Sequence, residues 1–359
     1  MIYIFLAVIL AVVFFNGKGV PVFLYHQVNS LSNITPELFE EHLKIIKQKN
    51  MNTVTLSEYG EGNIPKNSML ITFDDGYYDN YKIVFPLLKK YNMKATIFLN
   101  TLYIGEKRWG DTVIEKNGTA NYKAMKKYTA LGDGTTEQYM TWKEIKEMYD
   151  SGLVDFQAHS HKHMAVFKEI KLQGVFNEDS KDCTDVFLYG EVEEGFPKFR
   201  KRGEYSTEGI IINKEFFKKF QEYYFKNLKG KSEKEIISKG QKFIDENIEP
   251  YMINENAEDF KKRITEEFTL NKTLIEKNLG NNVKYFCWPW GHRSKEAVEI
   301  LKSLGVKGFI TTKKGTNSYS PDWEMIRRIE LRKFTPEKFK INLMAARNLL
   351  IGKLYGLVS

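Results

Sequence analysis

The chain has 359 residues, of which 42% are hydrophobic, 14% aromatic and 28% charged, so it can bury the core of one large domain with an insertion or of two domains, and global disorder is excluded. Fifty-four Lys and Arg against 46 Asp and Glu give a net charge of +8; the excess is spread along the chain with no recognition motif beside it, which points to an anionic neighbourhood and not to a nucleic-acid partner. Cys183 and Cys287 are the two cysteines, which excludes a disulfide scaffold and any multi-cysteine zinc or iron–sulfur site.

Residues 1–15, MIYIFLAVILAVVFF, are apolar without a break. As a helix they would span about 22 Å, short of the ~30 Å hydrocarbon core. Without a basic leader or a clear small-x-small cleavage site, segment 1–16 reads as an uncleaved export signal or membrane anchor, with a buried first element as the alternative. The protein is therefore expected to be exported, and either membrane-anchored or extracellular, within the cell envelope.

From there strand-like and helix-like segments alternate. Strands are expected at 20–25, 52–56, 69–73, 94–99, 153–158, 283–287, 306–311 and 326–331. Helices open at Thr35-Pro36-Glu37, where Thr caps and Pro takes the first turn, at the capping box Thr141-Trp142-Lys143-Glu144, and at Ser294. Repeated βα units imply a parallel sheet, open or closed into a barrel. One domain over 17–334 is expected, interrupted at 165–258 by an irregular, charged and then helical insertion. A final helix over 335–359, carrying Leu343, Met344, Leu350 and Leu354, is expected to pack on the core, with a membrane or partner contact as the alternative.

Three polar clusters directly follow predicted strands: Asp74-Asp75-Gly76, His159-Ser160-His161-Lys162-His163 and Trp288-Pro289-Trp290-Gly291. In a parallel βα fold the C-terminal strand ends share one face, so clusters far apart in sequence are expected to converge there. Two adjacent carboxylates repel unless a cation intervenes. A divalent metal could be bound by Asp75 while Asp74 stays free as a proton acceptor. His159 and His163 would complete a two-His, one-Asp set with open positions, the form of a catalytic zinc site, which also fits Co²⁺, Ni²⁺ or a non-haem Fe²⁺ triad. His161 is then expected to face away or to support the ligands. Around Trp288, Pro289 and Trp290, a rigid loop could present a backbone N–H to an oxyanion and indoles to a sugar. His26, after Tyr25 at the end of another strand, is a further substrate-side candidate.

ITFDDGYYDN (71–80), QAHSHKHM (157–164) and CWPWG (287–291), in that order, resemble the NodB-type polysaccharide deacetylases. The resemblance extends over about residues 20–164 and 260–332, with VFLYHQV near the start and Gly315-x-Asn317 near the end. It implies an α/β fold, a distorted (β/α) barrel with its site at the C-terminal mouth and a large helical insertion. It also implies metal-dependent removal of acetyl groups from N-acetylglucosamine units. Carried over residue by residue, Asp74 is similar to the family's catalytic base, Asp75, His159 and His163 to its metal ligands, with Zn²⁺ the first expectation, and Trp290 to the aromatic residue whose backbone N–H holds the oxyanion. Two departures stand out. Many members have an arginine in the third motif where this chain has Cys287, and many have a late Leu-x-His supplying a general acid. His26 and His292 are the remaining histidine candidates for that acid. The early Tyr-His and the Gly-x-Asn stretch resemble the branch acting on poly-N-acetylglucosamine. A peptidoglycan deacetylase and a degenerate, polysaccharide-binding barrel are the alternatives.

Overall fold

The computed structural model describes residues 18–30, 32–106, 139–177, 184–190, 192–332 and 334–356; the apolar segment 1–16 lies outside them. Strands β1 (Gly19–Val20) and β2 (Val22–Tyr25) precede helix α1 (Pro36–Gln48). There follow β3 (Asn52–Thr53), α2 (Leu56–Glu61), β4 (Ser68–Phe73), α3 (Phe85–Tyr91), β5 (Ala95–Asn100), α4 (Trp142–Asp150) and β6 (Val154–Ser160). The insertion contributes β7 (Ala165–Val175), α5 (Thr184–Tyr189), β8 (Pro197–Gly203), β9 (Ile210–Ile212), α6 (Glu215–Asn227), α7 (Glu233–Asn247) and β10 (Met252–Asn254). The chain closes with α8 (Ala257–Leu279), β11 (Tyr285–Cys287), α9 (Lys295–Ser303), β12 (Gly308–Ile310), β13 (Asn317–Ser318), β14 (Ile329–Glu330), α10 (Pro336–Ala346) and α11 (Leu349–Tyr355). The expected caps form: the side chain of Thr35 accepts from the Leu38 N–H, Thr141 and Glu144 make a reciprocal box, and Ser294 accepts from Ala297.

An eight-stranded parallel sheet runs in the order β12-β11-β6-β5-β4-β2-β14, with β3 paired beside β4. A parallel bridge between Ile310 and Ile326 links the far edge to the approach to β14, so the sheet curls back on itself as a (β/α) barrel. Side chains of a strand alternate between its faces. Phe23, Tyr25, Ile71, Phe73, Ile97, Leu99, Phe156, Ala158, Phe286 and Ile329 pack in the core beneath the helices. Val22, Leu70, Phe98, Cys287, Ile310 and Ile326 fill the barrel interior instead. Residues of this second parity continue to the mouth, which is where Asp74 and Asn100 sit.

The stretch 165–258 leaves the barrel after β6 and returns by α8 to β11, the strand beside β6. Its helices form as expected, but it also builds an antiparallel sheet, β10-β9-β7-β8, that the sequence reading did not place. Phe167, Phe199, Phe216, Phe217 and Phe220 fill the separate core between this sheet and its helices. The long irregular pairing of β7 with β8, three times shifted in register, hides the period-2 pattern that would mark a strand.

The C-terminal stretch breaks into two helices, because Asn348 caps α11 through the N–H groups of Leu350 and Ile351. Leu343 is buried as expected, whereas Met344, Leu350 and Leu354 are exposed, a correction to the core-packing expectation for those three. The turn between the helices lies against the start of the fold: the Gly19 N–H donates to the Arg347 carbonyl at 2.9 Å.

Candidate active site

The clusters converge at the C-terminal mouth of the barrel, around a cavity of about 470 Å³. Its walls include Asp74 and Asp75 after β4, His159 and His163 from β6 and its loop, Trp290 after β11, and His26 after β2. Tyr77, Tyr103, Tyr139 and Arg332, which the sequence reading did not single out, share in its lining.

Local backbone geometry aims these groups. In the β5–β6 pairing Leu99 faces Ala158 but Asn100 faces Ser160, so His159 is the extra residue of a bulge. Consecutive side chains, His159 and Ser160, can therefore both turn toward the mouth. Among the described residues six non-glycines have a positive φ, and three are asparagines, which tolerate it. The other three are Asp75 (φ 79°), His163 (φ 57°) and Trp290 (φ 52°). Such backbone persists only where its surroundings enforce it, and it clusters at functional sites.

Asp75 Oδ1 lies 3.5 Å from His159 Nε2 and 3.7 Å from His163 Nε2. These gaps are too long for hydrogen bonds. They are close to the ~3.3 Å that separates ligands placed tetrahedrally at 2.0–2.1 Å from a zinc ion. The donor chemistry agrees. The His159 ring donates from Nδ1 to the Cys287 carbonyl at 2.7 Å, which leaves the Nε2 lone pair toward Asp75. Burial lowers the His163 pKa to about 4, against the pull of Asp75, so its ring is neutral at physiological pH. The Asn100 amide donates to Asp75 Oδ1 at 2.7 Å and fixes that carboxylate. Burial works against the charged form of Asp75, and the positive charge that His163 and His159 carry when protonated more than offsets it, holding its pKa below the usual range. Asp74, His159 and Cys287 also approach one another. That set is a poorer cage, because burial pushes the Cys287 thiol well up and Asp74 is already engaged.

The partner of Asp74 is Arg328, which the sequence reading missed. Its guanidinium grips the carboxylate in a fork, 2.7 Å to Oδ1 and 2.8 Å to Oδ2, with both side chains buried. Arg328 also donates from Nε to the Thr311 carbonyl at 2.9 Å and lies 3.1 Å from Cys287 Sγ. Burial raises the Asp74 pKa, and Arg328 and then His159 reverse this and hold it well below the ordinary carboxylate range. The arginine absent from the third motif thus arrives from the approach to β14. Parity could have revealed it: in Ile326-Arg327-Arg328 the apolar Ile326 and the charged Arg328 share the inward face.

The third-motif loop divides by the same rule. Cys287 faces inward, so Trp288 faces the helix-side core, where it stacks on Phe309 with centroids 5.1 Å apart and is fully buried. Pro289 is buried too. Neither can form the expected sugar-stacking wall, although Trp288 touches the cavity floor. Trp290 is 40% exposed and meets the His163 ring edge-on at 4.2 Å. His161 turns away from the cavity, its Nδ1 2.9 Å from Thr101 Oγ1. His292 takes the Gly203 N–H on Nδ1 at 3.1 Å and is tied to the insertion.

A family model described as polysaccharide deacetylase matches residues 61–187 and 251–309. YxkH of Bacillus subtilis (strain 168), which carries the same family's name, is 38% identical over 94 residues, 24% of this chain and 34% of its own. Poly-beta-1,6-N-acetyl-D-glucosamine N-deacetylase of Staphylococcus epidermidis (strain ATCC 35984) is 28% identical over 158 residues, 43% of this chain and 46% of its own. The matches thus span between a third and a half of these relatives' length. The solved structure of a de-N-acetylase from Aggregatibacter actinomycetemcomitans superimposes with a TM-score of 0.56 at 16% identity, covering 90% of this chain and 99% of that one, a likeness of fold.

Proposed function

Because the chain belongs to the polysaccharide deacetylase family, we propose that it is a metal-dependent de-N-acetylase of N-acetylglucosamine units in an extracellular polysaccharide, with poly-β-1,6-N-acetylglucosamine as the preferred substrate. The observation that carries this reading is Asp74, gripped by Arg328 and left outside the Asp75, His159 and His163 set. The substrate preference is supported by the name of the staphylococcal relative.

A divalent cation such as Zn²⁺, held by Asp75, His159 and His163, would supply polarisation of the acetamide carbonyl and acidification of a bound water. The protein's own residues account for the rest. Asp74 accepts the proton of the attacking water at a carboxylate oxygen, which Arg328 keeps in place. The backbone N–H of Trp290, a residue of the cavity lining, is the donor assigned to the oxygen that gains charge. An acid as strong as protonated Asp74 readily returns its proton to the departing amine nitrogen, so acetate and a free amino sugar result without a dedicated late histidine. Trp290 and Tyr77 give the sugar ring apolar faces at the rim.

Export and membrane anchoring by segment 1–16 belong to the same proposal. Among the described residues no helix is long and apolar enough to cross a membrane. Strand β1, which follows that segment in the sequence, bonds through Gly19 to the turn between helices that expose Ile341, Met344, Leu350 and Leu354, an arrangement suited to a membrane-facing side.

The test uses the full chain in detergent, chelated and then refilled with Zn²⁺ or Co²⁺, and follows acetate release from β-1,6- and β-1,4-linked N-acetylglucosamine oligomers. Metal-dependent release from the β-1,6 oligomers, lowered about 10²–10⁴-fold in Asp74→Asn, is the expected result. Release from β-1,4 oligomers alone would move the substrate to the cell wall. No release with metal bound would leave a polysaccharide-binding barrel.

A further inference from the structure

Three successive backbone N–H groups of the loop carrying His163 donate to side-chain oxygens from three parts of the fold. The Lys162 N–H donates to Glu267 Oε1 at 2.5 Å, from α8 of the barrel. The His163 N–H donates to Ser160 Oγ at 2.7 Å, from the end of β6. The Met164 N–H donates to Glu204 Oε1 at 3.1 Å, and the Glu204 N–H returns a bond to the Met164 carbonyl at 3.0 Å. Glu204 belongs to the insertion, just after β8.

Surface loops ordinarily give such N–H groups to water, at little cost. Here two carboxylates are buried to receive them, Glu204 at 1% and Glu267 at 6% exposure. Burial is costly for a carboxylate without a cation. Arg263 is the cation supplied: it forks onto Glu255 at 2.7 Å through both Nε and Nη2, donates to the Glu204 carbonyl at 2.9 Å, and lies 3.7 Å from Glu204 Oε2. Burial, with the charge of Glu267, raises the Glu204 pKa. The residue between the two bracketed N–H groups is His163, in the left-handed region at φ 57°. The same corner of the insertion meets the third motif, where the Gly203 N–H bonds to His292 and a Cβ on Gly203 would lie 3.0 Å from the Trp290 ring.

We propose that Glu204 and Glu267 are positioning residues for His163, locking the left-handed turn that aims its Nε2 at Asp75, and that the insertion is through Glu204 a structural part of the metal centre. This rests on Asp75, His159 and His163 being the ligands. Outer partners of this kind are worth about 10–100-fold in metal affinity.

The full chain, stripped of metal, is titrated with Co²⁺ and followed by its visible absorption bands, with thermal unfolding of the apo forms in parallel. Glu204→Ala and Glu267→Ala are each expected to raise the Co²⁺ Kd about 10–100-fold and to shift the bands. Glu204→Gln, whose amide oxygen still accepts from Met164, is expected to stay close to wild type. Glu255→Ala unties Arg263 and the Gly209 N–H but touches no N–H of the loop, so it is expected to lower the apo Tm and leave Kd unchanged. Wild-type Kd and spectra in folded Glu204→Ala and Glu267→Ala would overturn the proposal, as would a rise in Glu255→Ala equal to theirs. Should the alanine variants not fold, Glu204→Met and Glu267→Met, which keep volume and remove the acceptor, take their place under the same outcomes. A wild-type chain that binds no Co²⁺ would overturn the ligand reading, and this proposal with it.

Discussion

A carboxylate held by both arms of a guanidinium is a weak base but a well-aimed one. Asp74 has this form, and its depressed pKa keeps it ionised far below neutral pH. Lysine at position 328 would keep a charge and lose the fork. Arg328→Lys is therefore expected to lower kcat by about 100-fold, with Co²⁺ affinity unchanged. A looser cation raises the Asp74 pKa, so the acid limb of the rate profile should move to higher pH; an unmoved limb would separate Arg328 from the chemistry. A second residue-scale effect lies in the core. His42 is fully buried, bonded to Tyr25 and to the Phe334 carbonyl and stacked on Phe339. Burial lowers its pKa to about 4 from 6.5. Between those values the unfolded chain binds the extra proton, so this contribution is complete above pH 6.5 and is lost as pH falls toward 4. It amounts to at most about 3 kcal/mol. Urea unfolding of His42→Gln at pH 7 and pH 4.5 should show a wild-type advantage that shrinks at the lower pH.

At the scale of elements, two devices build the site: strand parity and local departures from it. Parity sends Asp74, Asn100, Cys287 and Arg328 inward and Trp288 outward. The bulge at His159 departs from it and brings a second consecutive side chain to the mouth. The insertion contributes through its β8 corner, where a Cβ on Gly203 would press on Trp290 at 3.0 Å and on His292 at 3.1 Å. Gly203→Ala is expected to push the Trp290 loop and lower kcat/KM about 10-fold or more, while the apo Tm changes little. A large Tm loss with normal kcat/KM in the folded fraction would confine the corner to a stabilising role.

For the whole molecule, a metal that binds the folded site and not the unfolded chain stabilises by mass action. At one hundred times Kd the gain is about 2.7 kcal/mol, which for 359 residues corresponds to about 3–4 °C in Tm. Zn²⁺ added to the apo chain should produce this shift, and His163→Ala should abolish it. A shift that survived in His163→Ala would place the stabilising ion elsewhere. The separate core of the insertion, built on Phe167, Phe199 and Phe217, gives it the rigidity to hold Glu204 against the barrel.

The strands that build the barrel, the helix caps and the three loops at the mouth were legible in the sequence because each is a local signal: apolar runs of strand length, Ser or Thr before a helix, polar clusters directly after a strand. The Asp75, His159 and His163 set was legible because topology alone places the strand ends on one face. Arg328 was not, since an arginine just before a short strand looks like any solvent-facing charge until the barrel closes over it. The burial of Trp288 and Pro289 was not legible, because motif proximity says nothing about the direction of a side chain, which strand parity decides. Glu204 and Glu267 lie 40 and 105 residues from their backbone partners. Their role exists only in three dimensions, because a hydrogen bond to a backbone N–H leaves no mark on the sequence of the loop that donates it.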